Sequence, residues 1–245
     1  MKKRNYFLTL LPALFAVLMS GCYFDIDGDG VGPVVRGSGD LIVEERVVSD
    51  FDRIMVEGSL DVIIRQGTAQ FVEVEADDNL QPYIRTSVRG GQLRISNTRS
   101  FSSRNDIKVY VTLTELDALE IRGSGNVFGE TIIEGDDLYL EVDGSGDMDM
   151  ELYYNEINSE INGSGNFRLS GETLEQVVRI NGSGDYRAAG LLSAEADISI
   201  RGSGNSIVSV SDYLRAEIRG SGDIIYYGNP DVDSYINGSG DLIQR

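Results

Sequence analysis

Ile121-Arg122-Gly123-Ser124-Gly125-Asn126 is the phrase on which this 245-residue chain turns, because it returns six more times before the chain ends. The returns are VDGSGD from Val142, INGSGN from Ile161, INGSGD from Ile180, IRGSGN from Ile200, IRGSGD from Ile218 and INGSGD from Ile236. Successive first glycines (Gly123, Gly144, Gly163, Gly182, Gly202, Gly220, Gly238) are 21, 19, 19, 20, 18 and 18 residues apart. An outlying copy, VRGSGD at Val35 to Asp40, is followed 21 residues later by a degenerate one, VEGSLD at Val56 to Asp61. Self-similarity at a fixed period marks a repeat architecture and governs every other reading of the chain.

A β-branched aliphatic, a polar residue, Gly-Ser-Gly and then Asp or Asn describe two strand ends joined at a sharp corner. The glycines supply positive φ or close backbone approach, and Asp or Asn bonds its own backbone. A period near 19 is too short for a propeller blade of roughly 40 residues or a helical repeat of 33 or more. It suits one coil of a β-solenoid. The fold expected is all-β: a single-stranded right-handed parallel β-helix with coils of 18–21 residues and GSG[DN] corners. Parallel crossovers are right-handed in roughly 98% of cases, although the 18-residue period of the last two coils also suits left-handed hexapeptide helices.

The structural ladder predicted from these corners comprises the seven first glycines, the second glycines Gly125, Gly146, Gly165, Gly184, Gly204, Gly222 and Gly240, and a corner residue. That residue is Asn126, Asp147, Asn166, Asp185, Asn205, Asp223 and Asp241 in turn. Neighbours in a parallel stack lie about 4.8 Å apart, where two carboxylates repel by roughly 1 kcal/mol in water and more at a drier site. Alternating Asn with Asp relieves that repulsion. Only Asp223 and Asp241 break the alternation.

Residues 1–21 read as a secretory signal: Lys2, Lys3 and Arg4 lead an apolar run from Tyr6 to Met19, and Ser20-Gly21 precede Cys22. Leu18-Met19-Ser20-Gly21-Cys22 resembles a bacterial lipobox, which implies that Cys22 becomes the lipidated first residue of a mature lipoprotein. As the only cysteine, it forms no internal disulfide. Residues 22–34 read as an acidic, glycine-rich tether. Its Asp25, Asp27 and Asp29 match the opening half of a calcium loop, but Arg36 stands where the closing bidentate Glu belongs. An acidic run behind a lipidated cysteine resembles the surface-export signals of Bacteroidetes lipoproteins, so the expected location is the outer membrane, at the cell surface or facing the periplasm, with the lipid anchor on Cys22.

Loss of residues 1–21 leaves 18 basic against 40 acidic residues, a net charge of −22. Such a surface argues against nucleic acid as a partner. With no histidine, the Ser-His-Asp and Cys-His mechanisms and His/Cys zinc sites are excluded. Acidic pairs at Asp136/Asp137, Asp147/Asp149 and Asp231/Asp233 are the residues a polysaccharide-cleaving β-helix would need in a groove.

Residues 35–120 read as irregular coils and a cap leading into the regular repeats of 121–245. Ile54, Val56, Val62 and Ile64 alternate around the degenerate corner, Asp77 to Ile84 holds a single helical turn, and Ser87 to Leu93 turns a hairpin. Ile107, Val109, Val111 and Leu113 form a period-2 strand. The succession of VEERVVSDFDRIMVEGSLDVIIRQG (Val43 to Gly67), VEVEADDNL (Val72 to Leu80), IKVYVTL (Ile107 to Leu113) and serial GSG[DN] resembles the autotransporter-adhesin head domain called the GIN domain, from about Leu41 onward. The resemblance implies a right-handed β-helix similar to pectin-lyase folds, an adhesive role, and no catalytic residues. It carries over no functional residue.

The function expected is therefore a lipid-anchored, non-catalytic module binding glycan or protein surfaces, with an envelope scaffold and a polysaccharide-acting enzyme as the alternatives. Tyr139, Tyr153, Tyr154, Tyr186, Tyr213, Tyr226, Tyr227 and Tyr235 lie in the repeats, where they either pack the strands or stack on sugars or anchor a protein. No cofactor is expected; calcium as a stabiliser of the corners is the one candidate, by analogy with Gly-Asp nonapeptide solenoids. Self-association through the edge of the last coil is also expected, since an open parallel edge invites pairing.

Overall fold

The structure is a computed structural model and describes residues 34–245. The signal segment, Cys22 and the Asp25, Asp27, Asp29 run lie outside the described residues.

Among the described residues β1 (Val35–Arg36) and β2 (Leu41–Glu45) precede the first coil, formed by β3 (Arg53–Gly58) and β4 (Asp61–Gln66). An insertion follows: β5 (Phe71–Asp77), one 3-10 turn at Gln81–Tyr83, β6 (Ile84–Arg89), β7 (Gln92–Asn97), β8 (Phe101–Ser102) and β9 (Lys108–Leu113). The regular part runs through β10 (Ala118–Gly123), β11 (Val127–Gly129), β12 (Ile133–Glu134), β13 (Asp137–Gly144) and β14 (Met148–Gly163). It continues with β15 (Phe167–Gly182), β16 (Tyr186–Gly202), β17 (Ser206–Gly220), β18 (Ile224–Tyr227), β19 (Asp231–Gly238) and β20 (Leu242–Gln244). From β10 onward all pairings are parallel and corner falls on corner, Gly123 on Gly144 on Gly163 on Gly182 and so to Gly238. The result is a β-solenoid of about seven turns.

Why this sequence stacks is visible in the first letter of each phrase. Val56, Ile121, Val142, Ile161, Ile180, Ile200 and Ile218 sit in register, and each is fully buried. β-Branched side chains suit a pleated, inward-facing surface, and burying one contributes about 1.5–3 kcal/mol. Both glycines of the corner are required by close approach. A Cβ on Gly184 would stand 2.7 Å from Ile161 Cγ2 and 3.1 Å from the Gly165 carbonyl carbon. At Gly182, φ is +144° as well, a conformation L side chains rarely adopt.

Coil order in space departs from coil order in sequence. The degenerate corner Val56–Asp61 stacks directly on Ile121–Asn126, 65 residues later, because β10 pairs with β3 on one side and β13 on the other. The insertion covers the other side: β7 pairs with β3 and β9 with β4, both in parallel. Antiparallel β6 then closes over β7, while β5 and β2 close over β9. This end of the stack is thus covered by strands rather than left open, as a repeat array requires. Leu60, which replaces the second corner glycine, is 1% exposed in the core. No Gly-Ser-Gly corner lies beneath it, so the space that forces glycine elsewhere admits a leucine here.

The outlying VRGSGD copy does not join the glycine stack. Its Val35 and Arg36 pair with Phe101 and Ser102, and Ser38 is fixed by its N–H to Asn79 Oδ1 at 2.9 Å and its hydroxyl to Asp78 Oδ1 at 2.5 Å. Beside it, buried Asp77 accepts from Ser103 Oγ (2.7 Å) and Asn105 Nδ2 (2.5 Å). The Ser103 hydrogen bond, with help from Asn105 and the Gly39 backbone, holds the Asp77 carboxyl below the usual range against the opposing effect of burial.

Candidate functional site

Three features mark the surface of the solenoid: the corner ladder, the acidic columns on the strand faces, and a groove where coil length changes.

In the corner ladder each Asp or Asn Oδ1 accepts the backbone N–H of the corresponding residue one coil on. Asn126 donates to Asp61, Asp147 to Asn126, Asn166 to Asp147, Asp185 to Asn166, Asn205 to Asp185 and Asp223 to Asn205, all at 2.8–3.1 Å. Where Asn follows Asp its amide donates to the same carboxylate, as Asn126 to Asp61, Asn166 to Asp147 and Asn205 to Asp185. Alternation therefore does more than dilute charge: it places a donor against each carboxylate. Asp61, in the degenerate corner, is the first rung. At the break, Asp241 N–H still donates to Asp223 Oδ1 at 2.9 Å, and two carboxylates become neighbours. The serines beside them stay exposed, with Ser203 and Ser221 hydroxyls 3.2 Å apart.

Like charges also stack along the strand faces. Glu120, Glu141 and Glu160 fall in one register. Glu141 is pushed above the ordinary carboxylate value, first by partial burial and then by Asp143, Glu120 and Glu160. Glu156, Glu175 and Glu195 form a second column, and Glu175 is raised by burial and then by Glu156, Glu195 and Asp197. The acidic pairs singled out in the sequence are dispersed in role. Asp147 is a ladder rung, Asp149 pairs with Arg168 at 3.0 Å, and Asp136 accepts from Asn155 Nδ2 at 3.2 Å. Asp231 and Asp233 stand on β19, which is exposed along its whole length. Among the described residues no group of three or more His, Cys, Asp or Glu side chains is arranged to hold a metal ion.

The groove arises from arithmetic. The coil from Gly182 to Gly202 has 20 residues and the next, to Gly220, has 18. Pairing of β16 with β17 absorbs the difference by jumping from Ala188–Val208 to Leu192–Ser209, and again between Ser193 and Glu195. Bulges bend a strand and re-aim its side chains. The overhang leaves Leu192 56% exposed beside a groove of about 650 Å³. Glu172, Leu192, Ser209 and Tyr227 follow one another in register across four coils and line it. Tyr227 is 40% exposed. Beneath the groove a buried polar chain fixes its floor: Tyr186 Oη donates to Gln176 Oε1 (3.2 Å), Gln176 Nε2 to Ser193 Oγ (2.7 Å), and Ser193 Oγ to the Ser209 carbonyl (3.1 Å). Burial pushes the Tyr186 phenol upward, so it stays a neutral donor.

The eight repeat-region tyrosines divide between two fates. Tyr154, Tyr186 and Tyr226 are buried, whereas Tyr139, Tyr153, Tyr213, Tyr227 and Tyr235 are each more than a third exposed. Sequence reasoning missed the groove, although the fall in glycine spacing from 20 to 18 was its signal.

A family model described as putative auto-transporter adhesin, head GIN domain, matches residues 50–230. Crystal structures with the same architecture include a putative adhesin from Bacteroides fragilis (24% identity, TM-score 0.81, covering 86% of this chain and all of that one). Two from Parabacteroides distasonis are a putative lipid binding protein (26%, TM-score 0.74) and a putative adhesin (27%, TM-score 0.73); each match covers 87% of this chain and all of the other. Among curated proteins none matches this chain.

Proposed function

The chain belongs to the head GIN domain family of putative auto-transporter adhesins, and from that premise we propose that it is a cell-surface binding module. It is tethered by lipid on Cys22 and engages glycan or protein surfaces without altering them. The observation that carries this reading is the row Leu192–Ser209–Tyr227 along the stepped groove. It sets an exposed aliphatic and an exposed aromatic side chain, with a hydroxyl between them, in one groove. Aromatic and aliphatic anchors in a groove on rigid strands fit a sugar ring or an apolar side chain of a partner, and a rigid scaffold lowers the ordering cost of binding. The acidic rim at Glu172 and the neighbouring Glu175 column favour a neutral or cationic partner there.

The lipid anchor rests on Leu18-Met19-Ser20-Gly21-Cys22, and the outward location on the acidic run behind it. No helix among the described residues is long and apolar enough to cross a membrane. Mass spectrometry of the membrane-extracted protein is expected to find acyl groups on Cys22; an unmodified cysteine would remove the anchor.

The test of binding is a panel of immobilised neutral glycans and matrix proteins, with calcium and with chelator. Saturable binding, unchanged probes, and loss in the double variant Leu192→Ser, Tyr227→Ser are expected. Flat responses across the panel would replace this reading with an envelope scaffold, and cleavage of a glycan abolished by substituting Asp149 would replace it with an enzyme.

A further inference from the structure

A second surface, apart from the groove, reverses the charge of the chain. Strands β6, β7, β3 and β10 lie side by side at the covered end of the solenoid, and their outward residues form a grid three rows deep. The first row is Arg85, Ser96, Glu57, Arg122; the second Ser87, Arg94, Met55, Glu120; the third Arg89, Gln92, Arg53, Ala118. Five of these twelve are arginines and two are glutamates, in a protein with 40 acidic residues to 21 basic. All five arginines are exposed. A cavity of about 760 Å³ opens on the grid, and four arginines (Arg85, Arg89, Arg94, Arg122) line it against a single acid, Glu57.

The arginines differ in how they are occupied. Arg94 pairs with Glu57, Arg122 with Glu120 at 2.9 Å, and Arg53 with Asp52 at 3.1 Å. Arg85 and Arg89 form no ion pair with any described residue. They stand four residues apart on β6, roughly 13 Å at a strand's rise, with Ser87 between them and Arg94 opposite Ser87. This places two unneutralised guanidinium forks on either side of a third.

The geometry points to a site for an acidic glycan, one whose carboxylate or sulfate groups are taken by Arg85 and Arg89. A guanidinium fork matches carboxylate and sulfate oxygens with two parallel N–H bonds. The neutral groups interleaved with them, Ser87, Ser96, Gln92 and Asn97, offer both donors and acceptors, which sugar hydroxyls require and a bare anion does not. The one large apolar residue of the cavity lining, Met55, is 8% exposed, so the face offers nothing to insert among lipid chains. Immediately beyond the grid on the same sheet stand Asp143, Glu141 and Glu160. With the net charge of −19, they repel a densely charged polymer such as a nucleic acid and leave a glycan with spaced charges as the occupant.

The experiment uses the full chain and three immobilised probes with no more than one charge per disaccharide: hyaluronate for carboxylate, κ-carrageenan for sulfate, and neutral dextran. Saturable, salt-sensitive binding to one or both acidic probes is expected, and any binding to neutral dextran through the groove should be unchanged by the arginine variants; which acidic probe binds identifies the anionic group. The double variant Arg85→Gln, Arg89→Gln is expected to weaken it by at least about tenfold, the value of one or more charge-assisted hydrogen bonds. A matched control, Arg215→Gln with Arg219→Gln, removes equal charge from β17 on the same sheet, where each arginine is already paired; it should change binding by less than about twofold. Glu57→Gln, which releases Arg94, should strengthen binding. Leu192→Ser, Tyr227→Ser should leave it intact, so failure of the groove and failure of this site are separable. Equal loss in both arginine variants, binding to neutral dextran that falls with Arg85→Gln, Arg89→Gln, no binding to either acidic probe, or self-association as the sole consequence of Arg85→Gln, Arg89→Gln would overturn the assignment.

Discussion

Replacing Gly184 by alanine tests the physical basis of the stack. Its φ lies outside the left-handed region, so alanine meets no intrinsic backbone penalty there. The new methyl would instead sit 2.7 Å from Ile161 Cγ2 and 3.1 Å from the Gly165 carbonyl carbon, well inside contact distance. Neither neighbour can yield cheaply: Ile161 is fully buried, and Gly165 lies in a coil tied at Gly163 O by Ser183 N (2.8 Å) and Gly184 N (3.2 Å). Overpacking a rigid site costs about 1–3 kcal/mol, and parting the coils enough to relieve it forfeits one or two backbone hydrogen bonds at about 1 kcal/mol each. The expected loss is about 2–5 kcal/mol. Gly90→Ala is the counterpart. At φ +57°, with no atom within 4 Å of its Cβ, it meets a conformational penalty alone, about 1–2 kcal/mol. Urea unfolding followed by far-ultraviolet circular dichroism and tyrosine fluorescence measures both, the chain having no tryptophan. A Gly184→Ala protein no less stable than Gly90→Ala would refute the close-approach argument.

Other perturbations follow from the same geometry. Asn166→Asp sets three carboxylates in succession and removes the amide that donates to Asp147 at 2.8 Å; a loss of about 2–4 kcal/mol is expected from two repulsions and one lost hydrogen bond, shrinking with added salt, whereas Asp241→Asn should gain up to about 1 kcal/mol. Ser206 is fully buried and its hydroxyl has no partner among the described residues, so Ser206→Ala is expected to hold or raise stability by up to about 1 kcal/mol in the same urea titration. Glu175 is raised in the folded state, so folding takes up a proton and stability falls as pH rises from the ordinary carboxylate value near 4.3 through the raised one; Glu175→Gln should flatten that part of the stability–pH curve, and an unchanged slope would contradict it. Asp77 is lowered, so its contribution is present above the ordinary carboxylate value and is lost as pH falls through the depressed one. On the last coil Ile236 is 43% exposed where its counterpart Ile218 is fully buried; concentration-dependent association in sedimentation, abolished by Ile236→Asp, is expected, and a monomer at every concentration would dismiss it.

The corners were legible because each is written out in full and repeated: the glycines, the buried β-branched residue before them and the alternating Asp and Asn each state a requirement that recurs at every coil. Coil order was not. VEGSLD sits on IRGSGN across 65 residues, and a long-range parallel pairing leaves no local pattern in either partner. For the same reason the arginine grid was hidden, since Arg53, Arg85, Arg89, Arg94 and Arg122 come from four strands that meet only after the insertion folds back. Gln176 reads as one more polar strand residue, yet it is wholly buried and links Tyr186 to Ser193. VRGSGD shows the reverse: a corner phrase whose glycines find no corner to stack upon, because its neighbour is the Phe101–Ser102 strand.

Both proposed surfaces depend on one claim, that the coils stack in the order and register described. Spin labels on the exposed corner serines measure it in a Cys22→Ser background, which removes the only native cysteine. Ser59 and Ser221 flank six coil spacings, so at about 4.8 Å each their backbones should lie about 29 Å apart, with a narrow distribution of label distances. Ser59 and Ser124, far apart in sequence, should lie one spacing apart and couple strongly. A broad distribution for the first pair, or uncoupled labels in the second, would contradict the stack and with it the groove and the arginine grid.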